Sequence, residues 1–121
     1  MARILVVDDE RDVADFFADE LEFAGYKTGK AADGVEAVLK FLDGGWDAVL
    51  MDIRMPKLDG VNALRIMKRI DSTVPVILFT GQAGQGDMYE ATRLGAYTCL
   101  LKPVLPEKLI YLLDQSLKIN A

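Results

Sequence analysis

Trp46-Asp47-Ala48-Val49-Leu50-Met51-Asp52, residues 46–52, is a short apolar run that stops on an aspartate. It lies between Gly44-Gly45 and a loop spanning Pro56 to Gly60. A continuous apolar stretch of this length, bounded by turn residues, predicts a strand over 46–51 that is covered on both faces. The same pattern recurs outward from it. Ile4-Leu5-Val6-Val7 is rich in β-branched residues and ends at Asp8. Val74 to Phe79 ends at Thr80, and Tyr97 to Leu101 ends at Lys102-Pro103. Pro75 is compatible with a strand because it falls at the start. Tyr26 to Ala31 is a weaker strand candidate.

Helical periodicity fills the gaps between these runs. Residues 11–24 place Val13, Phe16, Phe17, Leu21 and Ala24 at helical spacing, and Gly25 follows as a C-terminal glycine. Asp33 can cap a helix bearing Val35, Val38, Phe41 and Leu42. Val61 to Ile70 carries Leu64, Ile66 and Met67, and Asp87 to Leu94 closes at Gly95. Pro106 suits the first turn of a last helix with Leu109, Ile110, Leu112, Leu113 and Leu117. Phe16, Phe17 and Phe41 are expected in the core, and Trp46 in packing rather than binding. Five strands alternating with five helices imply an α/β fold with a parallel sheet between two helical layers. With no repeat or linker in the 121 residues, one domain over 1–121 is expected.

Composition narrows the function. Apolar residues make up 51% and the net charge is −5, without a basic patch, so direct nucleic-acid binding is not expected. Cys99 is the only cysteine and there is no histidine. That excludes an internal disulfide, a Cys-based zinc site, a Ser-His-Asp triad and a phosphohistidine in this chain. The apolar run after Met1-Ala2-Arg3 is too short for a signal peptide, and no stretch is long enough for a membrane span. A soluble, cytoplasmic chain is the expectation.

The polar residues that end the strands are the candidate site. Asp8 and Asp9 follow the first strand, Asp52 the third, Thr80 the fourth and Lys102 the fifth. All would lie at the carboxyl edge, where open parallel sheets form ligand crevices. With strand order 2-1-3-4-5 the three aspartates converge. Close carboxylates repel, and a divalent cation removes the conflict. Hard oxygen donors suit Mg²⁺ better than zinc. Asp52 as nucleophile, Mg²⁺, the Lys102 ammonium and the Thr80 hydroxyl together suit phosphoryl transfer to a carboxylate. Each residue alone has an ordinary reading as a loop solubiliser, helix cap or surface lysine; their shared edge is what argues for function.

The sequence resembles the receiver domains of two-component response regulators. The resemblance rests on Ile4-Leu5-Val6-Val7-Asp8-Asp9-Glu10, Met51-Asp52-Ile53-Arg54-Met55-Pro56-Lys57-Leu58-Asp59-Gly60, Phe79-Thr80-Gly81, Gly95-Ala96 and Leu101-Lys102-Pro103, in order along the whole chain. It implies a flavodoxin-like (βα)5 fold. It implies Asp52 as the phosphoacceptor and Asp9 as a direct Mg²⁺ ligand. Asp8 would act mainly through metal-bound water, and the Arg54 carbonyl would complete the set. Thr80 would bond a phosphoryl oxygen, Lys102 would pair with it, and the Lys102–Pro103 bond would be cis. The implied donor is a phosphohistidine on a sensor histidine kinase or phosphotransfer protein. The implied partners are an output domain or downstream protein, with the chain a monomer or a phosphorylation-dependent dimer, and no membrane contact. The face of the fourth helix, fifth strand and fifth helix would be the output surface. Such a chain is not an enzyme beyond assisting its own phosphorylation and dephosphorylation.

One position departs from the family. Cys99 stands where a Tyr or Phe is usual, three residues before the lysine. Tyr97, two residues earlier, is expected on the same strand face and could substitute. Arg54 and Gln82, two residues beyond Asp52 and Thr80, are expected to flank the site and tune water access. Gly81 would leave room for a donor, and Tyr89 and Tyr111 are candidate interface residues. Two other functions use similar parts. One is a phosphatase of the aspartyl-phosphate class, whose nucleophile would normally follow the first strand in a D-x-D pattern, whereas this chain has Asp8-Asp9-Glu10. The other is a phosphorylation-independent interaction module.

Overall fold

Alternation of side chains along the strands decides which helices cover which face of the sheet. The computed structural model describes residues 1–81 and 85–119. Its strands are β1 (Arg3–Val7), β2 (Lys27–Ala31), β3 (Ala48–Asp52), β4 (Val76–Thr80) and β5 (Thr98–Leu101). The helices between and after them are α1 (Arg11–Phe23), α2 (Gly34–Asp43), α3 (Gly60–Ile70), α4 (Gln85–Arg93) and α5 (Pro106–Ile119). All strand pairs are parallel, in the order β2-β1-β3-β4-β5.

Leu5, Val7, Val49, Met51, Val76 and Leu78 point to one face and pack with Ala37, Phe41, Leu64, Met67 and Ala91 of α2, α3 and α4. Ile4, Val6, Ala48, Leu50, Ile77 and Phe79 point to the other and pack with Phe17, Leu21, Leu109 and Leu113 of α1 and α5. This is the period-two alternation of a sheet covered on both sides. Asp33 caps α2 by accepting the Glu36 N–H, and Asp59 caps α3 through the Asn62 N–H, both at 2.8 Å. Gly25 takes a positive φ of 102° after α1, as a helix-ending glycine should. Trp46 stacks on Gly29 of β2, donates to the Lys40 carbonyl, and has the Arg3 guanidinium 4.4 Å from its ring centre. Its packing role is as expected.

The structure corrects several sequence expectations. Strand β3 begins at Ala48, not Trp46: Asp47 instead exchanges bonds with Arg3, accepting its N–H and donating to its carbonyl. Strand β4 begins after Pro75, which has no N–H to give a ladder. Phe16 is not core but 48% exposed, with its ring edge-on to Phe17 at 5.5 Å. Helix α1 buries the narrow stripe Ala14, Phe17, Ala18 and Leu21, and Phe16 falls about 100° round the helix from Phe17. Val35, Leu42 and Ile66 are exposed for the same reason, because small residues such as Ala37 and Ala63 take the inward positions. Among the described residues, no helix is long and apolar enough to cross a membrane.

Candidate functional site

The parallel ladder sets the site by bringing strand ends level. Val7 is paired with Met51, and Asp52 with Phe79, so the residues after β1 meet the end of β3. Thr80 pairs with Leu101, which brings the end of β4 beside Lys102. Asp8, Asp9 and Asp52 each place a carboxylate oxygen within 4.8 Å of the others. Asp8 and Asp52 are buried at 2% and 5% exposure, whereas Asp9 is exposed. Lys102 Nζ donates to Asp52 Oδ2 at 3.0 Å and to Asp8 Oδ2 at 3.3 Å. The other carboxylate oxygens accept backbone donors: Asp8 Oδ1 the Glu10 N–H at 2.9 Å, and Asp52 Oδ1 the Arg54 N–H at 3.1 Å. Thr80 is buried at the strand end, and its carbonyl accepts the Lys102 N–H at 2.8 Å. The Lys102–Pro103 peptide is cis.

Asp9, Asp52, Thr80 and Lys102 line a crevice of about 360 Å³ together with Glu10, Arg54 and Gly81, with Asp8 buried beside it. Its electrostatics follow from burial and pairing. Burial pushes the Asp8 carboxyl above the usual aspartate value, partly offset by the Glu10 N–H; the Asp52 charge pushes it further up. Burial works to lower Lys102, but the hydrogen bond and charge of Asp52, then the charge of Asp8, outweigh it and leave the ammonium raised. One lysine is thus shared between two buried carboxylates, with a third carboxylate exposed beside them. A compact hard cation fits this donor set, since it would relieve carboxylate repulsion that one ammonium only partly balances.

The structure brings together Asp8, Asp9, Asp52, Arg54, Thr80 and Lys102. Gln82 lies outside the described residues. The expectation for Tyr97 is overturned. Cys99 packs on the α3–α4 side of the sheet, whereas Tyr97 packs with the α1–α5 cluster. Strand β5 begins only at Thr98, so strict alternation does not reach back to Tyr97. Cys99 instead lines a cavity of about 430 Å³ with Met88, Leu101, Pro103, Leu105 and Lys108.

Three supporting residues were missed in the sequence. A Cβ on Gly60 would collide with the Asp52 carbonyl, and one on Gly34 with the Leu58 carbonyl. Gly60 therefore lets α3 start directly behind the nucleophile candidate. Its signal was a glycine just after a capping aspartate, where no turn calls for one. Asp87 bonds the Arg54 guanidinium at 3.3 Å and had no signal beyond its place in the first turn of α4.

Comparison with known proteins agrees with this geometry. The family model described as "Response regulator receiver domain" matches residues 4–114. The regulatory protein AtoC of Escherichia coli is 37% identical over 98% of this chain and 26% of its own length. The response regulator SaeR of Staphylococcus aureus is 34% identical over 91% of this chain and 48% of its own. The chain thus spans between a quarter and a half of these relatives. A CheY-like receiver domain protein from Methanospirillum hungatei superposes with a TM-score of 0.97 at 28% identity, covering 99% and 96% of the two chains. The beryllofluoride-activated NtrC4 receiver domain dimer gives 0.92 at 30% identity over 100% of both chains. On motif order, fold, site geometry and family match together, this chain belongs to the response regulator receiver domains of two-component signalling.

Proposed function

We propose that residues 1–121 form one receiver domain in which Asp52 accepts a phosphoryl group and so changes a partner-binding surface. The observation that carries this is the Lys102 ammonium bridging Asp52 and Asp8 within a cluster of three carboxylates that borders an open crevice. Asp8, Asp9, Asp52 and the Arg54 carbonyl would hold Mg²⁺, which when bound supplies positive charge against the phosphoryl oxygens. An Asp52 oxygen forms the new bond to phosphorus while the phosphorus–nitrogen bond of a donor phosphohistidine breaks. The electron pair returns to the imidazole. Lys102 is placed to follow the charge onto the phosphoryl group, and Thr80 to donate to it. The donor is a sensor histidine kinase or phosphotransfer protein in the cytoplasm, and an output domain or downstream protein reads the result. The chain does not turn over a separate substrate. The acidic surface of this domain argues against its own contact with nucleic acid, although relatives such as PrrA are named transcriptional regulators.

Incubation with acetyl phosphate and Mg²⁺ should add one phosphoryl group by mass. Asp52→Asn, excess chelator and hydroxylamine should each abolish the adduct. A label that resists hydroxylamine, or that persists in Asp52→Asn, refutes the assignment. Steady release of phosphate from small phosphate esters would favour the phosphatase reading instead.

A further inference from the structure

Arg54 is held at the site by its backbone, whose N–H donates to Asp52 Oδ1. Its side chain lines the crevice beside Asp52, Thr80 and Lys102 and is 63% exposed. The guanidinium nevertheless reaches Asp87 Oδ2, at 3.3 Å, in the first turn of α4. Three residues on, Glu90 Oε1 accepts from Arg65 of α3 at 3.2 Å. Positions three apart share a helix face, so Asp87 and Glu90 form one acidic edge of α4. That edge is tied by two arginines, one from the loop after β3 and one from α3.

An exposed ion pair of this kind is weak and exchangeable. A phosphoryl group carries close to two negative charges and three acceptor oxygens. Arginine binds such groups with two parallel hydrogen bonds. The incoming phosphoryl group would therefore outcompete a single half-exposed carboxylate for the same guanidinium. We propose that Arg54 exchanges Asp87 for the phosphoryl group when Asp52 is modified, which removes one of the two arginine ties on α4. Asp87 is then a positioning residue: it holds the Arg54 guanidinium toward α4 in the resting state and couples occupancy of Asp52 to the seating of α4. The exchange rests on the phosphorylation reading above.

The test is a double-mutant cycle on the 121-residue chain, using beryllofluoride with Mg²⁺ as the phosphoryl analogue and calorimetry as the readout. Asp87→Asn should tighten beryllofluoride binding about two- to fivefold, the reach of one exposed pair. The same substitution should have no effect in the Arg54→Ala background. Amide hydrogen exchange in α4 should quicken by a similar factor in Asp87→Asn without the analogue. Beryllofluoride should quicken it in the parent but not in Arg54→Ala. Asp87→Ser should repeat the result, which guards against a fault of one variant. Equal tightening in both arginine backgrounds would mean that Asp87 acts only as a distant charge, and overturns the exchange. So would an unchanged affinity in Asp87→Asn. A parent that binds no beryllofluoride with Mg²⁺ overturns the phosphorylation reading itself, whereas the other two results leave that reading standing.

Discussion

Asp8 is a carboxylate whose place beside Asp52 costs the fold stability. It sits at 2% exposure with Asp52 alongside, and burial raises its carboxyl because the ionised form has lost water. Asp8→Asn keeps an acceptor for the Glu10 N–H and removes the buried charge. The variant should melt about 3–6 °C higher, equivalent to roughly 1 kcal/mol, in differential scanning calorimetry. It should also lose most of the melting increase that Mg²⁺ gives the parent. Tyr26 gives a pH signature away from the site. Burial first, and then its hydrogen bond to Asp114, raise the phenol well above its usual value of 10.0. The folded chain therefore keeps this proton after the unfolded chain has released it. Stability from this group is complete below pH 10 and falls as pH rises from there toward the raised value. The difference in denaturant stability between the parent and Tyr26→Phe should shift against the parent across that window and stay constant below it.

The elements show where local signals sufficed and where they did not. The Asp33 cap was legible because a capping aspartate acts on its own helix, within three residues, whereas the Asp59 cap, inside a stretch read as a loop, was not. Asp33→Ala should cost about 1 kcal/mol by urea titration. Gly60 was not legible, because its role depends on a strand end that approaches from elsewhere. Gly60→Ala should cost about 2 kcal/mol, since the new methyl must displace the Asp52 backbone. It should also slow labelling by acetyl phosphate, which the Asp33 variant should not. Phe16 misled for a related reason. A helix pattern gives the direction of an apolar side chain only to within its stripe, and small alanines took the inward places. Tyr97 misled because strand alternation was extended one residue past where pairing begins.

At the scale of the whole molecule, the fold class followed from strand candidates in strict alternation with helices, four of them ending in a polar residue, while the strand order came with the family resemblance. The meeting of Asp8, Asp9, Asp52, Thr80 and Lys102 followed from that order, since a parallel sheet carries all its strand ends to one edge. The ion pairs Arg54–Asp87 and Arg65–Glu90 did not follow, because they depend on how α4 lies across α3. A ligand that binds only the folded chain raises its stability by mass action. Mg²⁺ at one hundred times its dissociation constant should therefore add about 2.7 kcal/mol to the parent, measured by chemical unfolding with and without the ion. Trp46, the chain's only tryptophan, lies just before β3, at the opposite end of that strand from Asp52, its indole laid on β2 under Arg3. Nature has thus supplied an optical reporter that is deaf to the business end of the sheet. Its emission should register the loss of the β2–β3 neighbourhood on denaturation, while a fluorophore meant to sense the acidic crevice would have to be introduced at the other rim.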